Sequence, residues 1–281
     1  MDIYEIKRRS IASAVELING EPYERVTKTY FAGIDTILGR GFKEGQHILV
    51  GGRPAMGKTA FAISLVKEIA VEHKQSVVYF SLDGSGKQLM ERMIKLESGI
   101  NLHGDDELMY SEKLDVVKAA ERLDDSPIIL DDQPQAGFEY IMDRCLNEFK
   151  ESVKPSLVII DYLQLMDTYS EETPEDILKD LKFLAKEMHC PIMLLSQLDR
   201  DVDSHSREDH RPTLKDISGV KDVENLIDVV IFIYRDSYYE LRPEDKERAE
   251  IIIAKNTRKE NRIGTMMVKF RDGFFRNLHS A

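Results

Sequence analysis

One short motif restricts the fold of this chain more than any other feature of its sequence. Residues 52–59 read G-R-P-A-M-G-K-T, a complete G-x-x-x-x-G-K-[ST] pattern between an apolar run at 48–50 and a helical stretch at 60–70. In this strand–loop–helix context the glycines let backbone N–H groups surround phosphates, and the helix N-terminus adds a partial positive charge. The motif therefore predicts a P-loop that binds a nucleoside triphosphate.

Two side chains of the loop have distinct predicted roles. The Lys58 ammonium is expected to reach the β- and γ-phosphates, and the Thr59 hydroxyl is expected to hold Mg²⁺. The predicted phosphate-binding set is Gly52, Arg53, Pro54, Ala55, Met56, Gly57, Lys58, Thr59 and Ala60.

Polar residues end three further apolar runs. Asp161 follows the run 157–160, which places its carboxylate at the tip of a buried strand, where a Walker B aspartate binds Mg²⁺ through water. Asp83 closes a Ser-Leu-Asp tripeptide at another strand end and is the candidate base for the attacking water. Gln197 follows the run 192–196 and is expected to hydrogen-bond the γ-phosphate or the water. Together with the P-loop, these residues predict a hydrolytic nucleotide site.

Strands and helices alternate along the chain. The predicted strands are 47–50, 76–81, 127–130, 157–160, 192–196, 229–234, 250–254 and 265–270. The predicted helices are 59–73, 86–99, 111–124, 137–151 and 174–189. The first six strands are nearly continuous apolar runs, as expected for parallel strands that are covered on both faces. We therefore predict an α/β fold with a mostly parallel, doubly wound sheet that ends in a C-terminal β-hairpin.

Charge and composition restrict how the protein can contact DNA and where in the cell it is expected. The 281 residues include 39 Lys and Arg against 51 Asp and Glu, a net charge of −12. A protein that simply coats nucleic acid is usually basic, so any DNA contact must come from a local patch or from a ring of subunits. Cys145 and Cys190 lie in apolar patterns typical of buried free thiols. No run reaches the ~18–20 apolar residues of a membrane span, and the N-terminus lacks a signal-peptide pattern. We predict a cytoplasmic protein without a membrane partner.

Several motifs together resemble one family, the bacterial replicative helicases of the DnaB type. They are R-P-A-M-G-K-T-A-F-A at 53–62, S-L-D at 81–83, I-D-Y-L-Q-L-M at 160–166, L-L-S-Q-L-D-R at 194–200, the segment 211–236 and A-E-I-I-I-A-K at 249–255. The resemblance spans roughly residues 26–278. It implies a RecA-like P-loop NTPase fold, ATP and Mg²⁺ as ligands, single-stranded DNA as a partner, a homo-oligomer that is a hexamer, and contacts with loader or other replication proteins.

The resemblance also assigns residues to two kinds of contact, one with the neighbouring subunit and one with DNA. In the family, an arginine in the last hairpin reaches the ATP of the neighbouring subunit. This role falls on Arg258, with Lys255 beside it and Arg262 as an alternative. The expected DNA-binding residues are Arg200, Ser218, Gly219 and Lys221.

The sequence departs from the family pattern in three places. Asp83 stands where the family has glutamate, which sets the carboxylate back by one carbon–carbon bond. The DNA-facing Arg-Glu-Ser-Gly run corresponds to 218–221 without its arginine, although Lys221 supplies a charge three positions later. The separate N-terminal collar domain of the family has no counterpart here, as in a natural short form or a fragment.

We divide the chain into three parts. Residues 1–20 carry apolar residues at helical spacing and are predicted to form a docking helix, either on a neighbouring subunit, as the resemblance implies, or on its own domain. Residues 21–29 are predicted to be a linker, and 30–281 the ATPase motor domain.

Two functions compete. The first is a ring-forming, ATP-hydrolysing motor that translocates on single-stranded DNA and separates the duplex. The alternative is a weakly hydrolysing, ATP-binding module that binds or regulates another helicase ring, which Asp83, the altered 218–221 loop and the missing collar favour. A RecA-type recombinase is a weaker third option, because I-D-Y-L-Q-L-M is not a motif of that family.

Overall fold

The computed structural model describes residues 25–103, 107–134, 136–163, 173–203, 209–217, 223–239, 246–257 and 262–278. Its strands are β1 (Val26–Thr27), β2 (Phe42–Lys43), β3 (His47–Gly52), β4 (Val77–Ser81), β5 (Ile128–Asp131), β6 (Leu157–Asp161), β7 (Ile192–Gln197), β8 (Val229–Tyr234), β9 (Arg248–Asn256), β10 (Gly264–Arg271) and β11 (Phe274–Arg276). Its α-helices are α1 (Ala32–Leu38), α2 (Lys58–Val66), α3 (Gly86–Ser98), α4 (Tyr110–Asp124), α5 (Phe138–Asp143), α6 (Pro174–Met188) and α7 (Val223–Leu226). Two of the helices continue as π-helix, α2 through Lys67–Glu72 and α5 through Arg144–Phe149, and a short α-helical turn, Lys150–Ser152, follows the second.

A nine-stranded sheet forms the centre of the fold, in the order β11-β10-β9-β8-β3-β7-β6-β4-β5. The six strands from β8 to β5 run parallel. Strands β9, β10 and β11 add to one edge in antiparallel fashion. The predicted α/β class, the parallel sheet and the C-terminal hairpin of β9 and β10 are confirmed.

The register of the parallel strands brings their polar ends together. Gly52, where the P-loop leaves β3, pairs with Gln197 at the end of β7. Ser81 at the end of β4 pairs with Asp161 at the end of β6. Because ligands of open parallel sheets bind at the carboxyl ends of the strands, this edge is where a functional site is expected.

The sheet is covered on both faces, and alternate residues of each strand supply the two cores. On one face, Ile48 and Val50 of β3 pack with apolar residues of α1, α2 and α3. On the other face, Leu49 packs with α5 and α6. Cys145 and Cys190 are buried in this second core as free thiols, as predicted.

The sequence patterns missed the short elements and misplaced some boundaries. The predicted helices 59–73 and 137–151 exist, but each contains a π-helical segment. The strand pair β1–β2, helix α1 and strand β11 were not predicted, because two to seven residues are too few to show a period.

The described part of the predicted linker belongs to the domain. Val26 and Thr27 pair with Lys43 and Phe42, and the Thr27 hydroxyl donates to the Ser156 carbonyl at 2.6 Å. The linker prediction for residues 25–29 therefore needs correction, since backbone pairing and side-chain hydrogen bonds outweigh their polar composition. The predicted docking helix 1–20 and residues 21–24 lie outside the described residues.

Candidate functional site

The P-loop connects β3 to α2 through a turn in which two residues take left-handed backbone conformations. Ala55 has a φ of 62° and Gly57 a φ of 105°. A Cβ atom on Gly57 would lie 3.0 Å from Cε2 of Phe275, so both the backbone and the packing require glycine here. The first N–H groups of α2 have no acceptor one turn earlier in the helix, which makes the loop a site for anionic oxygens.

The side chain of Lys58, at the end of the P-loop, folds back over the loop. Its ammonium donates to the Gly52 carbonyl at 2.9 Å and to the Arg53 carbonyl at 3.4 Å. Burial lowers the pKa of Lys58 from 10.5 to about 8, while the negative charge of Asp161 acts in the opposite direction. The ammonium is therefore poorly hydrated, and a triphosphate in the loop would offer it stronger, charged acceptors.

Asp161 is held by two hydroxyl groups. Its side chain is buried, with 3% of the residue exposed. Thr59 Oγ1 and the Tyr79 hydroxyl each donate to Asp161 Oδ2 at 2.8 Å. Burial raises the pKa of Asp161, and the hydrogen bonds from Thr59 and Tyr79 lower it. The predicted pair of Mg²⁺ residues is thus in direct contact.

This arrangement fits a magnesium ion that enters with a triphosphate. Thr59 and Asp161 offer oxygen donors, the type that Mg²⁺ prefers, and Mg²⁺ commonly takes only one or two protein ligands besides phosphate oxygens and waters. The Thr59 hydroxyl uses its single proton on Asp161, which leaves its lone pairs available to a cation.

A cavity of about 460 Å³ opens beside the P-loop. Its wall is formed by Pro54, Ala55, Gly57, Lys58, Thr59, Ala60, Ser81, Asp83, Gly84, Ser85, Gln88, Leu89, Arg92, Asp161, Tyr162 and Gln197. Asp83 is exposed at this wall, and its backbone N–H donates to the Asp161 carbonyl at 3.2 Å. The structure therefore brings together the P-loop, both predicted carboxylates and the predicted amide around one space.

Five residues of this region were not singled out in the sequence. Ser85 and Gln88 form a capping box at the start of α3, a pattern that the sequence does contain. Arg92 and Tyr162 line the cavity, and Tyr79 lies behind Asp161. A tyrosine within a buried strand was the available signal for Tyr79, because its hydroxyl needs a partner.

Arg53 has a different environment from the rest of the loop. Its guanidinium is buried and donates from Nε to Asp203 Oδ2 at 2.7 Å and from an η-nitrogen to the Leu198 carbonyl at 2.9 Å. Asp203 also accepts from the Tyr239 hydroxyl at 2.6 Å, and the Tyr239 ring stacks on His210. The side chain of Arg53 thus joins the P-loop to the segment after β7.

The other predicted contact residues are placed only in part. Ser218, Gly219, Lys221 and Arg258 lie outside the described residues. The backbone of Arg200 begins a short 3₁₀ turn, Arg200–Asp203, and its side chain is outside the described part. Lys255 lies on β9, and its ammonium donates to the Ile227 carbonyl of its own chain. A contact of Lys255 with a neighbouring subunit would have to use another donor of the ammonium or replace this bond.

Within the described residues, no helix has the length and apolar character needed to cross a membrane.

The sequence matches the model of one family over nearly its whole length. Residues 27–277 match the DnaB-like helicase C-terminal domain. The replicative DNA helicase DnaC of Bacillus subtilis (strain 168) is 34% identical over 251 residues, which are 86% of this chain and 54% of that protein. The replicative DNA helicase DnaB of Haemophilus influenzae is 34% identical over 251 residues, 84% of this chain and 52% of that protein. The chain thus spans about half the length of these relatives.

Solved structures give the same result. A solved ATPase domain superimposes with a TM-score of 0.82 at 27% identity, covering 96% of this chain and 98% of that one. A DnaB-like replicative helicase, described with its interactions with primase, superimposes with a TM-score of 0.84 at 28% identity, covering 95% of this chain and 67% of that one. With the P-loop, the Thr59–Asp161 contact and the parallel sheet in place, the chain belongs to the family of DnaB-like helicase C-terminal domains.

Proposed function

We propose that this chain is an ATP-hydrolysing motor that assembles into a ring, translocates on single-stranded DNA and separates the duplex, as a replicative helicase. The observation that carries the proposal is the contact between Thr59 Oγ1 and Asp161 Oδ2 beside the P-loop cavity, with Asp83 and Gln197 at the wall of the same cavity. These groups supply a cation site, a base and a hydrogen-bonding amide around the place where the γ-phosphate would lie.

Binding of ATP would exchange the partners of Lys58. Its ammonium now donates to the carbonyls of Gly52 and Arg53. The β- and γ-phosphate oxygens are charged acceptors and form stronger hydrogen bonds than carbonyls do. The N–H groups at the start of α2 add further donors, so the triphosphate is held without rearrangement of the sheet.

Hydrolysis would then depend on Asp83. Its carboxylate accepts a proton from the attacking water, whose oxygen bonds to the γ-phosphorus while the bond to the β,γ-bridging oxygen breaks and ADP leaves. Thr59 and Asp161 would hold Mg²⁺, which would supply positive charge to offset the charge that develops on the phosphates. Gln197 orients the water or the γ-phosphate. Since a misplacement of about 1 Å can cost about 10²-fold in rate, the short side chain of Asp83 makes this a slow ATPase.

The ring is the proposed source of the remaining catalytic group. Arg258 would approach the ATP of the neighbouring subunit, with Lys255 nearby, and stabilise the transferring phosphoryl group.

The described chain also exposes an apolar stripe on one side of α4, formed by Met109, Tyr110, Leu114 and Val117. An exposed apolar patch of this kind is typical of a protein–protein contact. We assign this stripe, together with the predicted docking helix 1–20, to subunit contacts in a hexamer.

DNA would pass along the loops that follow β7. Arg200, Ser218, Gly219 and Lys221 are the proposed contacts to its phosphates. Replication proteins such as a loader are proposed partners, and the two buried free thiols agree with the proposed cytoplasmic location.

Steady-state ATP hydrolysis with and without single-stranded DNA tests the proposal. The Lys58→Ala variant serves as the blank. Stimulation by DNA above the blank is the expected result. ATP binding combined with hydrolysis at the level of the blank, whether or not DNA is present, would contradict the motor and support the module that binds or regulates another ring.

A further inference from the structure

Tyr79 places a polar atom where the core itself needs none. It lies on β4 and is fully buried in the core between the sheet and helices α2 and α3. The adjacent residues of the strand, Val78 and Phe80, are apolar. A phenylalanine would fill the same space. A buried hydroxyl is unfavourable unless it has a hydrogen-bond partner. The partner of the Tyr79 hydroxyl is Asp161 Oδ2, at 2.8 Å.

Strand β4 and the two residues that follow it hold Asp161 at two places. The backbone N–H groups of Leu82 and Asp83 donate to the Asp161 carbonyl at 2.8 and 3.2 Å. The Tyr79 hydroxyl holds the carboxylate of the same residue. The segment that runs from β4 to the candidate base therefore also sets the backbone and the side chain of the candidate metal residue.

The two hydroxyl donors of Asp161 differ in what else they do. Thr59 lines the cavity and begins the helix of the P-loop, so it is exposed to whatever binds there. Tyr79 has no exposed surface and cannot contact a ligand in the cavity. Its ring is fixed by the core, which gives its hydroxyl one position relative to Asp161.

We propose that Tyr79 is a positioning residue for metal binding: it holds the Asp161 carboxylate in the orientation that receives Mg²⁺ together with the nucleotide. This inference rests on the proposed function, since it concerns the cation that accompanies ATP. Tyr79 acts only through Asp161, so its hydroxyl affects the part of nucleotide affinity that depends on Mg²⁺ and leaves the metal-free part unchanged.

The test uses the Tyr79→Phe variant of the full chain, which removes one oxygen atom and keeps the ring. Binding of a fluorescent ADP is titrated in Mg²⁺ and again in EDTA, and the ratio of the two Kd values gives the gain from Mg²⁺. The matched control is Tyr140→Phe, because the Tyr140 hydroxyl also donates to an aspartate, Asp131 Oδ2 at 3.0 Å, and does not line the cavity. Asp161→Asn marks full loss of the gain.

In Tyr79→Phe we expect the gain from Mg²⁺ to fall about tenfold, the size of a lost hydrogen bond to a charged group. The Kd in EDTA and the gain in Tyr140→Phe stay at the wild-type values. Hydrolysis gives a second readout: half-maximal rate requires more Mg²⁺, while the rate at saturating Mg²⁺ changes little.

An unchanged gain from Mg²⁺ in Tyr79→Phe would overturn the inference. An equal loss of affinity in Mg²⁺ and in EDTA, or a lowered thermal unfolding temperature as the sole effect, would give this result and would mean that Tyr79 only supports the fold. A wild-type chain that gains nothing from Mg²⁺ would instead contradict the proposed function itself, and the inference with it.

Discussion

Asp161 and Asp83 lie at the same cavity, but their side chains are held very differently. Asp161 is 3% exposed and accepts hydrogen bonds from Thr59 and Tyr79. Asp83 is exposed, and its backbone is anchored to the Asp161 carbonyl. A fixed, buried carboxylate suits a metal ligand, whereas an exposed one on an anchored backbone suits a base that must reach a water molecule.

The reach of Asp83 leads to a prediction at the residue scale. Replacing it with glutamate adds one carbon–carbon bond and moves the carboxylate toward the phosphate. We expect kcat for ATP hydrolysis to rise, by up to about 10²-fold, with little change in nucleotide affinity. Steady-state hydrolysis measures the rate, and Asp83→Asn, which keeps the length and removes the base, serves as the control. A lower kcat in Asp83→Glu would show that aspartate already has the right length.

At the scale of elements, the P-loop is tied to the segment after β7 through Arg53. Nε and an η-nitrogen of its guanidinium both lie 2.7 Å from Asp203 Oδ2. The side chain of Arg53 is 9% exposed and that of Asp203 is 30% exposed. Because a buried guanidinium needs a partner, this pair links the strand–loop–helix unit to the part of the chain that leads toward the proposed DNA contacts.

The Asp203→Asn variant tests this link. It leaves the Arg53 charge buried without a carboxylate, so we expect the free energy of unfolding to fall by about 1–2 kcal/mol. We also expect KM for ATP to rise more than kcat falls. The variant removes a contact that supports the P-loop, but it leaves every proposed catalytic group in place. Urea unfolding and ATPase kinetics are the measurements. Tyr239→Phe, which removes one hydrogen bond to Asp203 and keeps the ion pair, should have the smaller effect; the reverse order would refute this role.

Strand β3 carries a buried histidine that makes stability depend on pH. His47 is fully buried, its Nδ1 contacts the Leu226 carbonyl at 3.1 Å, and its Nε2 has no partner among the described residues. Burial lowers the pKa of His47 from 6.5 to about 4. Between these values the unfolded chain binds a proton that the folded chain does not, so stability falls as pH drops from 6.5 to 4.

We expect protonation of this residue to lower the free energy of unfolding by up to about 3 kcal/mol as the pH falls over that range. Urea unfolding at several pH values measures the loss. His47→Leu should be less stable at pH 7, because the Leu226 carbonyl loses its partner, but its stability should decline less on acidification. Parallel pH profiles for the two proteins would exclude His47 as the cause.

At the scale of the whole molecule, assembly is expected to depend on the exposed stripe of α4. Leu114 lies at its centre and is 45% exposed. We expect Leu114→Glu to weaken oligomers formed with Mg²⁺ and an ATP analogue at least tenfold, since burial of a charge opposes an apolar contact. Sedimentation velocity measures the assembly. Lys118→Gln changes the net charge of the same helix equally and serves as the control, and unaltered oligomers in Leu114→Glu would place the interface elsewhere.

Contiguous or strongly patterned features were predictable from the sequence alone. The P-loop is a single segment, so the strand before it and the helix after it can be recognised in the same stretch of sequence. The six parallel strands are nearly continuous apolar runs because both faces are covered, and this pattern predicted them with small errors at their ends. Asp161 and Gln197 were singled out because a polar residue that ends such a run lies at the edge of the sheet where ligands of parallel sheets bind.

Only the tertiary structure decided which of these residues meet. Tyr79 has the pattern of a core residue, and nothing near it in the sequence indicates that its hydroxyl holds Asp161, 82 positions away. Arg53 was predicted as part of the phosphate loop, yet its guanidinium binds Asp203, 150 positions away. Local patterns report burial and period, whereas hydrogen bonds between distant segments depend on strand order and register, which a single sequence does not encode in any local pattern.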